Sequence, residues 1–309
     1  MLNYENNAKE NITTAGPNSK LTIVGLPTNN ITYVGKAFEA YACYDNDIGE
    51  TVSATWNYDT SKVFINTTFK QHMYITQIIP LKTGRIDITV SYNGQSCSFT
   101  LMNYMQIYIS PANHTKPYIK PDGTWYPTSE WNEKKNMEIV AGYLKDYLVN
   151  YYAEVLVTNI HSATADYTGR PEEAKNWMHS TVDSLYLALH SNAGANGGTT
   201  ARGSVGYYNA VGNVGSLALE FVNAIDAILP TGSNRSSRTI QGNYSAGTPT
   251  YLGNLGELRV PETYGIPSVL IEQGFHDNPN EAAFLISNQR LLAETVGSVL
   301  VSHYNLARK

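Results

Sequence analysis

Short runs rich in β-branched and aromatic residues, separated by turn residues, fill the first third of the chain. They are Lys20–Val24, Phe38–Tyr44, Val63–Asn66, Met73–Ile79, Arg85–Val90 and Cys97–Leu101. Such short strands at regular spacing predict an all-β sandwich over residues 20–103. Residues 1–19 lack the pattern and read as a flexible N-terminal segment. From about Tyr104 the period changes. Glu133–Leu148 places Met137, Val140, Ala141, Leu144, Tyr147 and Leu148 on one helical face. A strand is expected at Glu154–Thr158. A helix should follow from Pro171, a residue suited to the first helical turn, to about Val182. Further strands are expected at 185–190, 204–208 and 268–275, with helices at 216–229, 281–286 and 289–304. Residues 235–249, rich in Ser, Gly and Asn, read as a loop. Strands alternating with helices imply an α/β layer over 104–309, with a mostly parallel twisted sheet flanked by helices. The join lies near Met102–Met105.

Three of the apolar runs stop at chemistry. Leu185-Tyr186-Leu187-Ala188-Leu189 ends in His190, and Ser268-Val269-Leu270-Ile271 meets Glu272. Gln106-Ile107-Tyr108-Ile109-Ser110 is followed by His114. Ligands of open α/β sheets bind beyond the carboxyl ends of strands. Two histidines and a carboxylate at such ends are the raw material of a catalytic zinc site with an acid/base. Each residue also has a plain structural reading. His190 could be a hydrogen-bonded core histidine, Glu272 half of a buried ion pair, and His114 a loop residue. Glu133 could be a first-turn carboxylate favoured by the helix dipole, and Glu130 lies close enough to take its place.

Composition narrows the field. The 309 residues are 42% hydrophobic and only 15% charged, which is globular. A net charge of −5 argues against nucleic acid, which wants a basic face. No run of about 20 apolar residues predicts membrane insertion, and the first residues carry no secretory leader. Two cysteines, Cys43 and Cys97, could pair across the sandwich or stay free. The Gly-rich stretch Asn196–Gly203 has no P-loop signature and reads as a rim around Arg202.

The second part resembles the zinc-dependent N-acetylmuramoyl-L-alanine amidases of the amidase-3 family, cell-wall hydrolases of bacteria and their phages. The resemblance rests on Ile109-Ser110-Pro111-Ala112-Asn113-His114, on Asn132-Glu133 before a helix, and on Leu189-His190-Ser191-Asn192-Ala193. It rests also on Ala201-Arg202-Gly203 and on Val269-Leu270-Ile271-Glu272-Gln273-Gly274-Phe275-His276-Asp277-Asn278. It implies Zn2+ held by His114, Glu133 and His190, with Glu272 as general base. It implies peptidoglycan as substrate, with Arg202, Asn192 and His276 near it. His161 reads as a rim residue. The β domain resembles immunoglobulin-like domains at the level of strand pattern, and would contact the wall or an assembly. The chain would act at the bacterial cell wall, as a phage-type lysin or as a secreted enzyme without its leader. Two other readings stay open: an inactive wall-binding protein of the same fold, and a zinc peptidase acting within the stem peptide.

Overall fold

A computed structural model of the chain describes residues 19–161, 168–181, 184–194, 200–230, 232–235, 238–242 and 255–309. All but the last residue of the expected flexible segment 1–19, half of the Gly-rich rim and much of the 235–249 loop lie outside them. The chain divides into two compact units. One comprises 1–30, 37–79 and 86–101, and the other 31–36, 80–85 and 102–309.

The first unit is all-β. Strands β1 (Leu21–Val24), β3 (Phe38–Tyr44), β6 (Val63–Lys70) and β7 (Met73–Pro80) form one sheet in the order β1-β3-β7-β6. Strand β4 (Asp47–Thr51) is added on β3. The other sheet contains β5 (Thr55–Asn57), β8 (Gly84–Tyr92) and the first residues of β9 (Gln95–Pro111). Period-two alternation along β8 turns Ile86, Ile88 and Val90 inward and leaves Asp87 and Thr89 outside. They pack with Ala40, Ala42, Val63, Ile78 and Leu101. Asn93-Gly94, both at positive φ (47° and 74°), make the two-residue turn that joins β8 to β9. Cys43 is buried, Cys97 half-buried, and both thiols are free. Burial raises the pKa of each.

The second unit includes β2 (Ile31–Tyr33), which runs parallel to Met102–Tyr104 of β9. Its residues 80–85 are held there too: Asn103 donates to the Lys82 carbonyl at 2.5 Å, and the Ala307 amide donates to Thr83 Oγ1 at 3.0 Å. The main sheet adds β10 (Ala153–Val157), β11 (Ser184–Asn192), β12 (Val205–Tyr208), β13 (Thr239–Gln241) and β14 (Ser268–Phe275). Their order is β10-β9-β11-β14-β12-β13. All neighbours are parallel except β12 and β14. The sheet is therefore mixed rather than purely parallel, because β12 runs back against β14.

Among the described residues six α-helices cover it: α1 (Glu133–Leu148), α2 (Gly169–Trp177), α3 (Gly215–Ile228), α4 (Gly256–Thr263), α5 (Pro279–Ser287) and α6 (Gln289–His303). Helix α1 has the span its periodicity predicts, with Asn132 as N-cap accepting from the Lys135 amide. Helix α2 begins two residues before Pro171 and ends at Trp177; residues 182–183, near the expected end, are outside the described set. Strand β13 and helix α4 carry no periodic signal long enough to announce them. Helix α4 even holds Pro261.

Strand parity decides what faces where. Odd positions of β9, β11 and β14 (Ile107, Ile109, Leu185, Leu187, Leu189, Val269 and Ile271) pack on α1, α3, α5 and α6. Even positions (Tyr108, Tyr186, Ala188 and Leu270) meet Ala174 of α2 and Leu258 of α4. Where α6 crosses α1, a Cβ on Gly297 would lie 2.4 Å from Tyr147 Cδ1. Gly297→Ala is expected to cost about 1–3 kcal/mol through this overlap. A denaturant melt checks it; an unchanged midpoint would mean that the Tyr147 ring turns aside freely.

Candidate active site

The even-numbered face ends in polar residues. Ser110 on β9, His190 on β11 and Glu272 on β14 continue the rows begun by Tyr108, Tyr186 and Leu270. Register places His190 directly beside Glu272. Strand β9 ends at Pro111, and the backbone then carries His114 to the start of α1. There the Lys134 amide donates to the His114 carbonyl at 2.9 Å and the Glu133 amide to the Lys116 carbonyl at 3.0 Å. Glu133, the first residue of α1, is thereby aimed back at the sheet.

His114, Glu133 and His190 converge, with one candidate ligand atom from each lying within 4.8 Å of the others. His190 Nδ1 is 3.2 Å from Glu133 Oε1, and His114 Nδ1 is 3.5 Å from Glu133 Oε2. Glu133 and His190 are buried, whereas the His114 side chain is 45% exposed, so the group is reached from the His114 side. Glu130 is not in the group; its carbonyl receives Lys135 Nζ. The Ser191 amide donates to Glu133 Oε1 at 3.0 Å, which holds that carboxylate against β11.

Electrostatics follow from burial and pairing. Burial by itself would raise the pKa of Glu133, but hydrogen bonds from His114 and His190 and the nearby imidazole charge outweigh it. Its carboxyl is held below the usual range. Burial would lower His190, yet Glu133 on one side and Glu257 on the other raise it well above the ordinary imidazole value. Glu272 differs. Burial raises its pKa to about 7, with His190 opposing and Glu133 reinforcing the rise. Its Oε2 is buried with no hydrogen-bond partner among the described residues.

Two imidazoles and a carboxylate, converging with a spare carboxyl oxygen beside them, suit a borderline divalent cation such as zinc. Any such cation must displace the proton that Glu133 and Glu257 stabilise on His190. Affinity is therefore expected to strengthen as pH rises from 6 to 8. Competition against a chromogenic chelator at each pH measures this, and a flat profile would contradict it.

The other sequence candidates are dispersed. His276 is buried, stacks on Tyr118 with ring centroids 5.3 Å apart, and its Nδ1 lies 3.0 Å from both the hydroxyl and the carbonyl oxygen of Ser191. It braces the β11 end from inside. Asn192 is half-buried and bonds its own neighbour, the Ala193 amide. Arg202 is half-buried, its amide donating to Asn234 Oδ1 at 3.0 Å. His161 is exposed, 3.6 Å from Glu138, on an open pocket of about 600 Å³ with Pro111, Lys134, Val157 and Thr158. Sequence reasoning passed over Glu257 and Arg170. Both are buried, on α4 and α2, and Glu257 Oε2 is 2.8 Å from His190 Nε2. A charged residue inside a short segment broken by proline gives no pattern to find it by.

The sequence profile of the family described as N-acetylmuramoyl-L-alanine amidase matches residues 112–300. The chain belongs to this amidase family. It is a peptidoglycan hydrolase that cleaves the amide between N-acetylmuramic acid and L-alanine. Amidases are also found among similar solved structures. AmiC2 of Nostoc punctiforme is 19% identical with a TM-score of 0.47, over 65% of this chain and 97% of that one. The amidase from Clostridium difficile 630 is 22% identical with a TM-score of 0.46, again over 65% and 97%. The catalytic domain of the CD27L endolysin targeting Clostridia difficile is 18% identical with a TM-score of 0.43, over 64% and 98%. No curated protein sequence matches the amidase. Among its described residues no helix is long and apolar enough to cross a membrane.

Proposed function

We propose that this amidase is zinc-dependent, with His114, Glu133 and His190 holding the ion and Glu272 acting as general base. The observation that carries this reading is the placement of Glu272. It lies beside His190 in strand register, its Oε2 is unpartnered, and its pKa is raised to about 7. When bound, Zn2+ supplies Lewis acidity that polarises the scissile carbonyl and makes attacking water more acidic. Glu272 takes the proton from that water and passes it to the nitrogen leaving as the L-alanine amine. A carboxyl with a pKa near neutrality is suited to both halves of that transfer. Glu133 stays ionised and orients both histidines. Asn192, the last residue of β11, and Arg202, just before β12, are proposed to meet the stem peptide, Arg202 through the peptide's carboxylates. His276 is proposed to help position substrate through Ser191, the residue it supports.

The chain is read as two functional domains, 20–103 and 104–309, the first immunoglobulin-like and serving wall contact or assembly. The inactive and stem-peptidase alternatives are separated from the amidase by product analysis. Zinc-loaded protein incubated with purified walls should release new alanine amino termini and leave lactyl-bearing muramic acid. Chelation should abolish release and added zinc restore it. Products cut within the stem peptide, or no products at all, would overturn the reading.

A further inference from the structure

We infer that Glu257 is a positioning residue that fixes the orientation of the His190 ring, and with it which ring nitrogen faces the metal group. This rests on the zinc reading above. His190 has its two nitrogens between two carboxylates. Nδ1 lies 3.2 Å from Glu133 Oε1, inside the His-Glu-His group, and Nε2 lies 2.8 Å from Glu257 Oε2, outside it. An Nε2–H that donates to Glu257 leaves the Nδ1 lone pair directed at the group, and a ring rotated about χ2 would lose that bond.

Glu257 is itself clamped. Tyr186 donates its hydroxyl to Oε1 at 2.9 Å, Ser110 Oγ donates to the same oxygen, and Arg170 Nη1 stands 4.0 Å away. Arg170 in turn donates to Ser110 Oγ at 2.9 Å, to the Pro111 carbonyl at 2.5 Å and to the Ile160 carbonyl at 3.2 Å. Glu257, Arg170, Ser110 and His190 are all buried. Residues from β9, α2, β11 and α4 thus converge on one carboxylate whose second oxygen, among the described residues, faces His190. A buried ion pair alone would not need this division. One oxygen of Glu257 takes the anchoring donors, and the other is left for the imidazole.

The test compares zinc affinity, by chelator competition, in the wild type, Glu257→Gln and Tyr186→Phe, with the absorption spectrum of each Co2+-loaded protein. Glu257→Gln keeps the shape but loses the charge that orders the Nε2–H. We expect it to weaken zinc binding about 10–100-fold and to alter the cobalt spectrum. Tyr186→Phe removes one anchor and should weaken binding several-fold in the same direction; it carries the test if Glu257→Gln does not fold. Wild-type zinc affinity and cobalt spectrum in every folded variant would overturn the positioning role while leaving the zinc reading intact. Failure of the wild type to bind zinc or cobalt would overturn both.

Discussion

Glu272→Gln is expected to lose about 10²–10⁴-fold in kcat while keeping one zinc per chain. The side chain keeps its place in register with His190. What disappears is the carboxylate oxygen proposed to take a proton from water and return it to the leaving amine. Glu272 belongs to no ligand set here, since the converging group is His114, Glu133 and His190, so metal content should not change. Elemental analysis and wall lysis on one preparation of Glu272→Gln, with Glu272→Ala beside it, decide the matter. Zinc lost together with lysis would make Glu272 a ligand and undo the division of roles. The wild type should also show an acid limb in kcat/KM. The carboxyl, raised to about 7 by burial, is useless as a base once protonated. A bound dication would pull that value down, so the limb is expected at or below pH 7 and should be missing from the residual rate of Glu272→Gln.

His190→Ala should be costly in two separable ways. It removes one of the three converging donors, so stoichiometric zinc and lysis are both expected to go. It also strips two buried carboxylates of a shared partner, because Glu133 and Glu257 each face one ring nitrogen. Breaking a buried pair from one side typically costs about 3–5 kcal/mol. A loss of that size is expected in a denaturant melt of the metal-free protein. Below about pH 6, where an imidazole is protonated in the folded and unfolded wild type alike, it should shrink as pH falls: without His190 the two carboxyls take up protons more readily than in the wild type, so acid offsets part of the defect. A metal-free variant as stable as the wild type would mean that neither carboxylate depends on the imidazole.

Much of this arrangement is written in the order of the residues. The helix over Glu133–Leu148 follows from its apolar period, and Asn132 caps it as its side chain allows. The apolar runs of β11 and β14 already stop at His190 and Glu272, and that of β9 is soon followed by His114. Position at strand ends points to a site there, and the types of residue point to metal-assisted hydrolysis. Local periodicity reports which way a side chain faces, and that is a property of the chain alone.

Tertiary structure decided the rest. The helical period favours Glu133 without excluding Glu130, and it is the loop tying His114 and Lys116 to the first turn of α1 that brings Glu133 together with His114 and His190. Register between β11 and β14, which sets His190 against Glu272, depends on pairing between strands about 80 residues apart in the chain. The fate of His276, drawn inside against Tyr118 and Ser191, depends on a segment more than 150 residues before it. Glu257 and Arg170 had no signal at all, because their segments are short and the meaning of each charge comes wholly from what covers it. A sequence fixes period and residue type through interactions within a few residues. The partners of a buried charge are set by which distant elements close over it, and only the folded chain specifies them.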